Sequence, residues 1–362
     1  MTMNAAHRGR LACCSVLTLA GALLLAACGS GAPPTPEATE IGEASPPVGS
    51  PLPIVIDTDL AADDVLAIMA LLREPMVDVR AITLEGNGEA HCGPGMRNLT
   101  WLLTQFGAEG IPIGCGREEP GPHGRLFPSE WRTGVDDFFG VDGPDAVVDV
   151  PAADAVEVLA DTLAASEEAV TLVPLGPWTN LADLVEQHPD ALEKIAGIHA
   201  MAAAIDAPGN IAVDDVKPEH GVEWNVGVDP DAFAQVLHAT EIPVTLVPLD
   251  ATNSVPVPGN FAEIIGEDHA VAGADIAHEI YVQSPWLTDG SSFWDTLAVL
   301  ALVDPSLATW EDLTAEVTID GPSSGDVVRS PTGRPIRAAM DADQDRFMDA
   351  MLAALRRGDP RP

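Results

Sequence analysis

Between residues 53 and 360, short apolar runs alternate with stretches whose apolar residues recur at helical spacing. Ile54-Val55-Ile56 reads as a buried strand, and residues 79–84, 170–174, 198–204 and 244–249 read the same way. Helical spacing falls at 61–72, 95–106, 153–166, 180–187, 230–238 and 295–302. Strands that alternate with helices predict one α/β domain: a largely parallel central sheet flanked by helices, with a Rossmann-like core. No internal repeat and no second linker interrupts it, and about 300 residues lies within the range of α/β enzymes. Ligands of such sheets bind beyond the carboxyl ends of the strands. Polar outcrops stand at those ends: Glu85-Gly86-Asn87, Leu175-Gly176-Pro177 and the stretch from Asp206 to Asn210.

The first strand ends in the most unusual feature of the chain. Asp57, Asp59, Asp63 and Asp64 crowd into eight positions where strand gives way to helix. Capping a helix N-terminus uses one or two acids, not four. Carboxylates this close repel one another unless a cation joins them. Asp59 and Asp64, five apart across a bend, can converge on a hard ion through oxygen, the chemistry of Ca²⁺ or Mg²⁺.

Residues 1–28 read as a leader and not as part of the fold. His7, Arg8 and Arg10 precede an apolar run over 11–25, and Leu25-Ala26-Ala27-Cys28 places small residues before a cysteine. This pattern resembles a bacterial lipoprotein signal, which implies cleavage before Cys28 and acylation of its thiol. Residues 29–52 are rich in Pro, Gly, Ser, Thr and Glu, a spacer composition. The third segment, 53–362, carries the alternating strand and helix pattern and is expected to form the folded domain. The expectation is an exported protein held at the cell envelope by lipid. In that compartment Cys92 and Cys115 are free to pair, although spacing alone does not bring them together.

Composition narrows the partners. A formal net charge of −39 repels phosphate backbones, so a nucleic-acid polymer is an unsuitable partner. Lys194 and Lys217 are the only lysines. A homo-oligomer is left open.

Taken in order, the motifs resemble the Ca²⁺-dependent nucleoside hydrolases, which cleave the N-glycosidic bond of ribonucleosides. The resemblance rests on Asp57-Thr58-Asp59-Leu60-Ala61-Ala62-Asp63-Asp64, Glu85-Gly86-Asn87 and Leu172-Val173-Pro174-Leu175-Gly176-Pro177-Trp178-Thr179-Asn180. Pro208-Gly209-Asn210, Glu223-Trp224-Asn225 and Trp294-Asp295 complete it. It implies Ca²⁺ held by Asp59, Asp64, Asp295 and the Leu175 carbonyl, with Asp59 also accepting the proton of an attacking Ca²⁺-bound water. It implies ribose contacts from Asp63, Asn87, Asn210, Glu223 and Asn225. Taken singly, Asn87 and Asn210 are equally turn residues beside glycine. Glu223 and Asn225 would share one face of an extended segment, and Asp295 would suffice as a helix cap.

Two departures stand out. Leu60-Ala61 replaces a Pro-Gly pair common in relatives, and Ala61 is less permissive than glycine. Trp294 stands where pyrimidine-accepting members carry a histidine. An indole cannot donate a catalytic proton near neutral pH, but it stacks on a purine. Trp294 and Trp224 therefore resemble the purine-specific branch, with Trp131 as a second stacking ring or a plain surface residue of its loop. His123, His220 and His278 are the histidines that loops bring nearest. The other readings kept open are a lipoprotein that binds nucleosides without cleaving them and a hydrolase of another N-riboside.

Overall fold

The computed structural model describes residues 50–144, 153–211, 221–266 and 269–358. The leader, Cys28, most of the spacer and His220 lie outside the described residues. The chain divides into two units, 1–41 and 42–362, and every described residue belongs to the second.

Strand β1 (Leu52–Thr58) shows why the core takes its form. Ile54 and Ile56 point to one side of the sheet and Val55 to the other, all without solvent exposure. A strand buried on both faces reads as a continuous apolar run, as in parallel sheets. The other strands are β2 (Val77–Leu84), β3 (Ile113–Cys115), β4 (Ala153–Asp154), β5 (Val170–Pro174), β6 (Ile195–Ala200) and β7 (Val244–Leu246). β8 (Ala308–Val317), β9 (Val327–Arg329) and β10 (Arg334–Ala342) follow. All lie in one sheet of order β4-β3-β2-β1-β5-β6-β7-β10-β8-β9. Pairing is parallel from β4 to β10, and β8 and β9 close the edge antiparallel.

The helices are α1 (Ala62–Leu72), α2 (Cys92–Gln105), α3 (Ser129–Asp136), α4 (Ala155–Ala165), α5 (Thr179–Gln187) and α6 (Trp224–Val228). Then come α7 (Pro230–Ala239), α8 (Leu249–Thr252), α9 (Phe261–Ile265), α10 (Ala272–Gln283), α11 (Trp294–Val303) and α12 (Gln344–Leu355). One face of the sheet is covered by α1, α2, α10, α11 and α12, with Ile56, Leu66, Phe293 and Phe347 in its core. The other is covered by α4, α5 and α7 around Val55, Trp178 and Phe233. The predicted α/β class and its largely parallel sheet hold. Among the described residues, no helix is long and apolar enough to cross a membrane.

Two predicted strands end early. β6 stops at Ala200, because Ala203 turns to φ +78° and its N–H donates to Glu223 Oε2 at 2.9 Å. β7 stops at Leu246, and Pro248, without an N–H to donate, leads into α8. Cys92 at the start of α2 and Cys115 at the end of β3 form a disulfide with Cα atoms 5.7 Å apart. Register brings the strand ends level: Thr58 lies opposite Leu84, and Asp57 opposite Pro174.

Candidate active site

Beyond those strand ends the chain turns at Leu60, whose φ of +66° is uncommon for a side-chain-bearing residue. The left-handed position therefore falls on Leu60, while Ala61 keeps an ordinary φ of −59°. Such a residue costs on the order of 1–3 kcal/mol and persists where its surroundings over-determine it. Here Leu60 is fully buried and its N–H donates to Thr58 Oγ1 at 3.0 Å.

The four aspartates of the turn separate by role. Asp57 faces inward, its Oδ1 accepting from Thr83 Oγ1 at 2.6 Å and Asn180 Nδ2 at 2.8 Å, so it braces the strand ends. Asp64 Oδ1 accepts from the Thr58 hydroxyl and from the Asp59 N–H at 3.2 Å. Asp63 Oδ2 accepts from the Asp295 N–H at 3.3 Å, which ties the acidic turn to the start of α11. Carboxylate oxygens of Asp63, Asp64 and Asp295 lie within 4.8 Å of one another. Asp63, which the resemblance assigns to the sugar, thus joins the cluster from which a cation would be held, and Asp59 stands beside it.

Oδ2 of Asp64 and Oδ1 of Asp295 are buried without a hydrogen-bond partner. Buried acceptors left unpaired cost about 1–3 kcal/mol each, so these oxygens await a partner. Hard oxygen donors in this number fit a divalent cation such as Ca²⁺. Burial and the neighbouring carboxylates push Asp59 and Asp295 well above the carboxylate range. Burial, with Asp64 adjacent, raises Asp63 to about 7.

Asp59 is held by close backbone approach. Its Cβ lies 3.0 Å from where a Cβ on Gly176 would stand, and a Cβ on Gly88 would overlap it. Gly88→Ala is expected to displace the Asp59 carboxylate and lower kcat about 10²-fold, the size that a shift of about 1 Å produces. Steady-state kinetics beside a thermal melt checks this, and an unchanged kcat contradicts it.

Asp59, Asp63, Asp64, Asp295, Leu175, Asn210, Glu223, Asn225, Trp131, Trp224 and Trp294 all line one cavity of about 240 Å³. Asn87 does not line it: its Nδ2 donates to Thr179 Oγ1 at 2.8 Å, inside the protein. Glu223 and Asn225 are not on an extended segment. Glu223 caps α6, accepting from the N–H groups of Asn225 at 2.8 Å and Val226 at 3.3 Å. Burial raises its carboxyl to about 7. Asn225 Nδ2 donates to the Leu175 carbonyl at 2.7 Å, and Asn210 Oδ1 accepts from the Trp224 N–H at 3.1 Å. Asp295 lies in the first turn of α11 but makes no side-chain cap bond.

An aromatic wall faces the carboxylates. Trp131 meets Trp224 edge-to-face at 5.4 Å, and Trp224 stacks on Phe127 at 4.8 Å. Trp131 is anchored through its helix: Arg132 donates to the carbonyls of Gly86 at 2.8 Å and Ala90 at 3.3 Å. Sequence reasoning missed Glu89 and Asp289 as lining residues. Burial, with Asp63 and Asp64 nearby, raises Glu89 to about 8. Neither acid stands in a motif, so spacing gave no signal for them. His123 pairs with Asp231 at 2.9 Å, and neither it nor His278 lines the cavity.

A parallel α/β sheet whose strand ends carry a carboxylate cluster opposite aromatic rings offers one site for a hard cation beside a flat ring. Residues 54–349 match the inosine-uridine preferring nucleoside hydrolase family. The pyrimidine-specific ribonucleoside hydrolase RihA of Escherichia coli strain SMS-3-5 is 30% identical over 267 residues, 71% of this chain and 81% of that protein. An inosine-uridine preferring nucleoside hydrolase from Bacillus anthracis superposes with a TM-score of 0.72 at 26% identity, covering 85% of this chain and all of that one. A purine-preferring ribonucleoside hydrolase from Gardnerella vaginalis gives 0.72 at 22% identity, over 84% and 98%, a likeness of fold. The chain belongs to the inosine-uridine preferring nucleoside hydrolase family and is an enzyme that hydrolyses N-glycosidic bonds of nucleosides.

Proposed function

We propose that the chain hydrolyses purine nucleosides to free base and ribose in a divalent-cation-dependent reaction, with Ca²⁺ as the ion. One observation carries this reading: a single cavity joins carboxylates with unpaired buried oxygens to a wall of tryptophans. Asp64, Asp295, Asp63 and Asp59 would hold the ion, with the Leu175 carbonyl at the same edge. When bound, it supplies a hard Lewis acid for a vicinal diol and water.

The protein's own groups do the rest. Asp59 lines the cavity beside the carboxylate cluster and is the group placed to act as general base. It takes the proton of the water that attacks the anomeric carbon as the bond to the base breaks. The acidic walls favour the positive charge that develops on the sugar. Asn210, Glu223 and Asn225, locked by their bonds to backbone, present fixed polar groups to the ribose. Trp294 and Trp131 line the same cavity and offer faces to a purine ring.

Inosine, guanosine and adenosine are expected to have kcat/KM at least about tenfold above cytidine and uridine. Trp294→Ala is expected to lower purine kcat/KM about 10- to 100-fold, the worth of one base–aromatic stack. A nucleoside panel measured by base release checks both. Pyrimidines turning over faster would favour the second reading, which the 30% identity to a pyrimidine-specific enzyme supports.

We also place the mature protein outside the cytoplasm, acylated at Cys28. The leader pattern and the Cys92–Cys115 disulfide support this, since disulfides persist in oxidising compartments. Metabolic labelling with a palmitate analogue, lost in Cys28→Ala, tests it.

A further inference from the structure

A cavity of about 320 Å³ opens at the amino-terminal ends of the strands, the end of the sheet opposite the catalytic cavity, and the two share no lining residue. Leu52 and Val77, the first residues of β1 and β2, line it, and the last turn of α11 closes it with Leu302. Its size is that of small-molecule sites, about 300–1,000 Å³, which pair apolar walls with a few convergent polar groups. The polar groups here form a row across the sheet. Register sets His199 of β6 beside Thr245 of β7, and Thr245 beside Arg337 of β10. Their chain neighbours Ile198, Leu246 and Ile336 pack in the opposite core, so all three side chains face the α11 side.

His199 is 4% exposed, and its Nε2 lies 2.9 Å from the Ala298 carbonyl of α11. A carbonyl only accepts, so Nε2 carries the proton and Nδ1 keeps a lone pair. Burial lowers the imidazole to about 4, which keeps the ring neutral. Neither Nδ1 nor the Thr245 hydroxyl has a hydrogen-bond partner among the described residues. At the far end of the row the Arg337 guanidinium lies 4.7 Å over the Trp310 ring, which holds it at the cavity. A purely apolar ligand would leave the nitrogen and the hydroxyl unpaired, at a cost in free energy.

We propose that this cavity binds an uncharged heterocycle with a ring N–H at one end and a ring carbonyl at the other, and that its occupant is a released nucleobase of the oxo type, such as hypoxanthine or uracil. The choice of a nucleobase rests on the nucleoside hydrolase activity and not on the preference for purines.

The row fixes the ligand's pattern. The lone pair of His199 Nδ1 takes an N–H, the Thr245 hydroxyl either gives or accepts, and Arg337 donates to a carbonyl. His199 and Arg337 stand two strand spacings apart, about 9.6 Å, so donor and acceptor belong at opposite ends of the ligand. Leu52, Leu302 and Pro305 supply apolar surface for its faces. A cation is disfavoured, because Arg337 lines the cavity and, among the described residues, no carboxylate does. An anion is disfavoured as well, since Asp312 of β8 stands opposite Arg337 and the net charge is −39. Gly197, in register with Thr171 of β5, keeps the floor open: a Cβ there would meet within 4 Å only atoms of Pro243, at 3.5 and 4.0 Å.

The test is equilibrium dialysis of hypoxanthine, uracil, indole and benzoate against the calcium-loaded full chain carrying Trp294→Ala, which removes a ring from the catalytic cavity and none from this one. Gly197→Val, which fills the floor, and Thr245→Val, which keeps the shape and removes the hydroxyl, are then added singly, with thermal melts to confirm folding. Hypoxanthine and uracil are expected to bind, and indole and benzoate about tenfold more weakly or less well still. Thr245→Val is expected to weaken hypoxanthine about three- to tenfold, the worth of one hydrogen bond, and Gly197→Val more than that. In the chain that keeps Trp294, both substitutions are expected to leave inosine hydrolysis unchanged. Hypoxanthine that does not bind the Trp294→Ala chain, or binds it equally with and without the added substitutions, overturns the proposal. Indole binding as tightly as hypoxanthine overturns it, because the walls alone then suffice, and so does benzoate binding more tightly, which makes the cavity an anion site. If hypoxanthine binds as expected while the unsubstituted chain cleaves no nucleoside, the cavity's ligand class stands and the hydrolase reading falls.

Discussion

Asp59→Ala is expected to lower kcat/KM for inosine by about 10³-fold or more, equivalent to about 4 kcal/mol of transition-state stabilisation. It is expected to do so without lowering thermal stability. Asp59 is buried, and its like-charged neighbours Asp64, Glu89 and Asp63 oppose its ionisation. Among its carboxylate's contacts, the Ala61 backbone N–H is the one that favours the charge. Such a group adds nothing to folding in the absence of a cation, so removing it relieves repulsion, a pattern common where stability is given up for activity. Kinetics and a melt of the same preparation decide the matter. Retained activity removes Asp59 from its role, and a collapsed fold makes it structural.

The second large effect is on stability. Burial holds Asp57 near 6, Asp63 and Glu223 near 7, and Glu89 near 8. Each value is raised above its unfolded counterpart, so the fold binds protons more tightly than the unfolded chain does. The stability they contribute is complete below the ordinary carboxylate range and is lost as pH rises through about 6 to 8. In chelator, the melting temperature is expected to fall by about 5 °C or more between pH 5 and pH 8. Calcium is expected to restore it at pH 8, because a ligand at 100 times its Kd adds about 2.7 kcal/mol. A melting temperature that is flat or rises with pH in chelator contradicts the repulsive cluster.

The sheet centre was legible because apolar runs such as Ile54-Val55-Ile56 admit one interpretation when both faces are buried. The antiparallel edge was not. In β8 buried and exposed positions mix without regular alternation, and β9 has three residues, so neither shows a period. Asp59, Asp64 and Asp295 were recognisable by their motif order, whereas Glu89 and Asp289 stand alone in loops and become visible only when the chain folds around Trp131. Glu223 illustrates a different limit. Its carboxylate looked like a ligand for sugar, yet much of its hydrogen bonding goes to the N–H groups of Ala203, Asn225 and Val226. The disulfide needed three dimensions, because α2 and β3 must first be brought level by the parallel crossover.

The most direct measurement is the initial rate of ribose release from inosine by the full chain, taken as prepared, after dialysis against EDTA, and after calcium is returned. Loss of at least about 99% of the rate in chelator, with recovery on calcium addition, is the predicted result, since in the proposed reading the Asp63, Asp64 and Asp295 oxygens would position substrate through a cation. An EDTA-treated enzyme that releases ribose at its original rate would contradict the account.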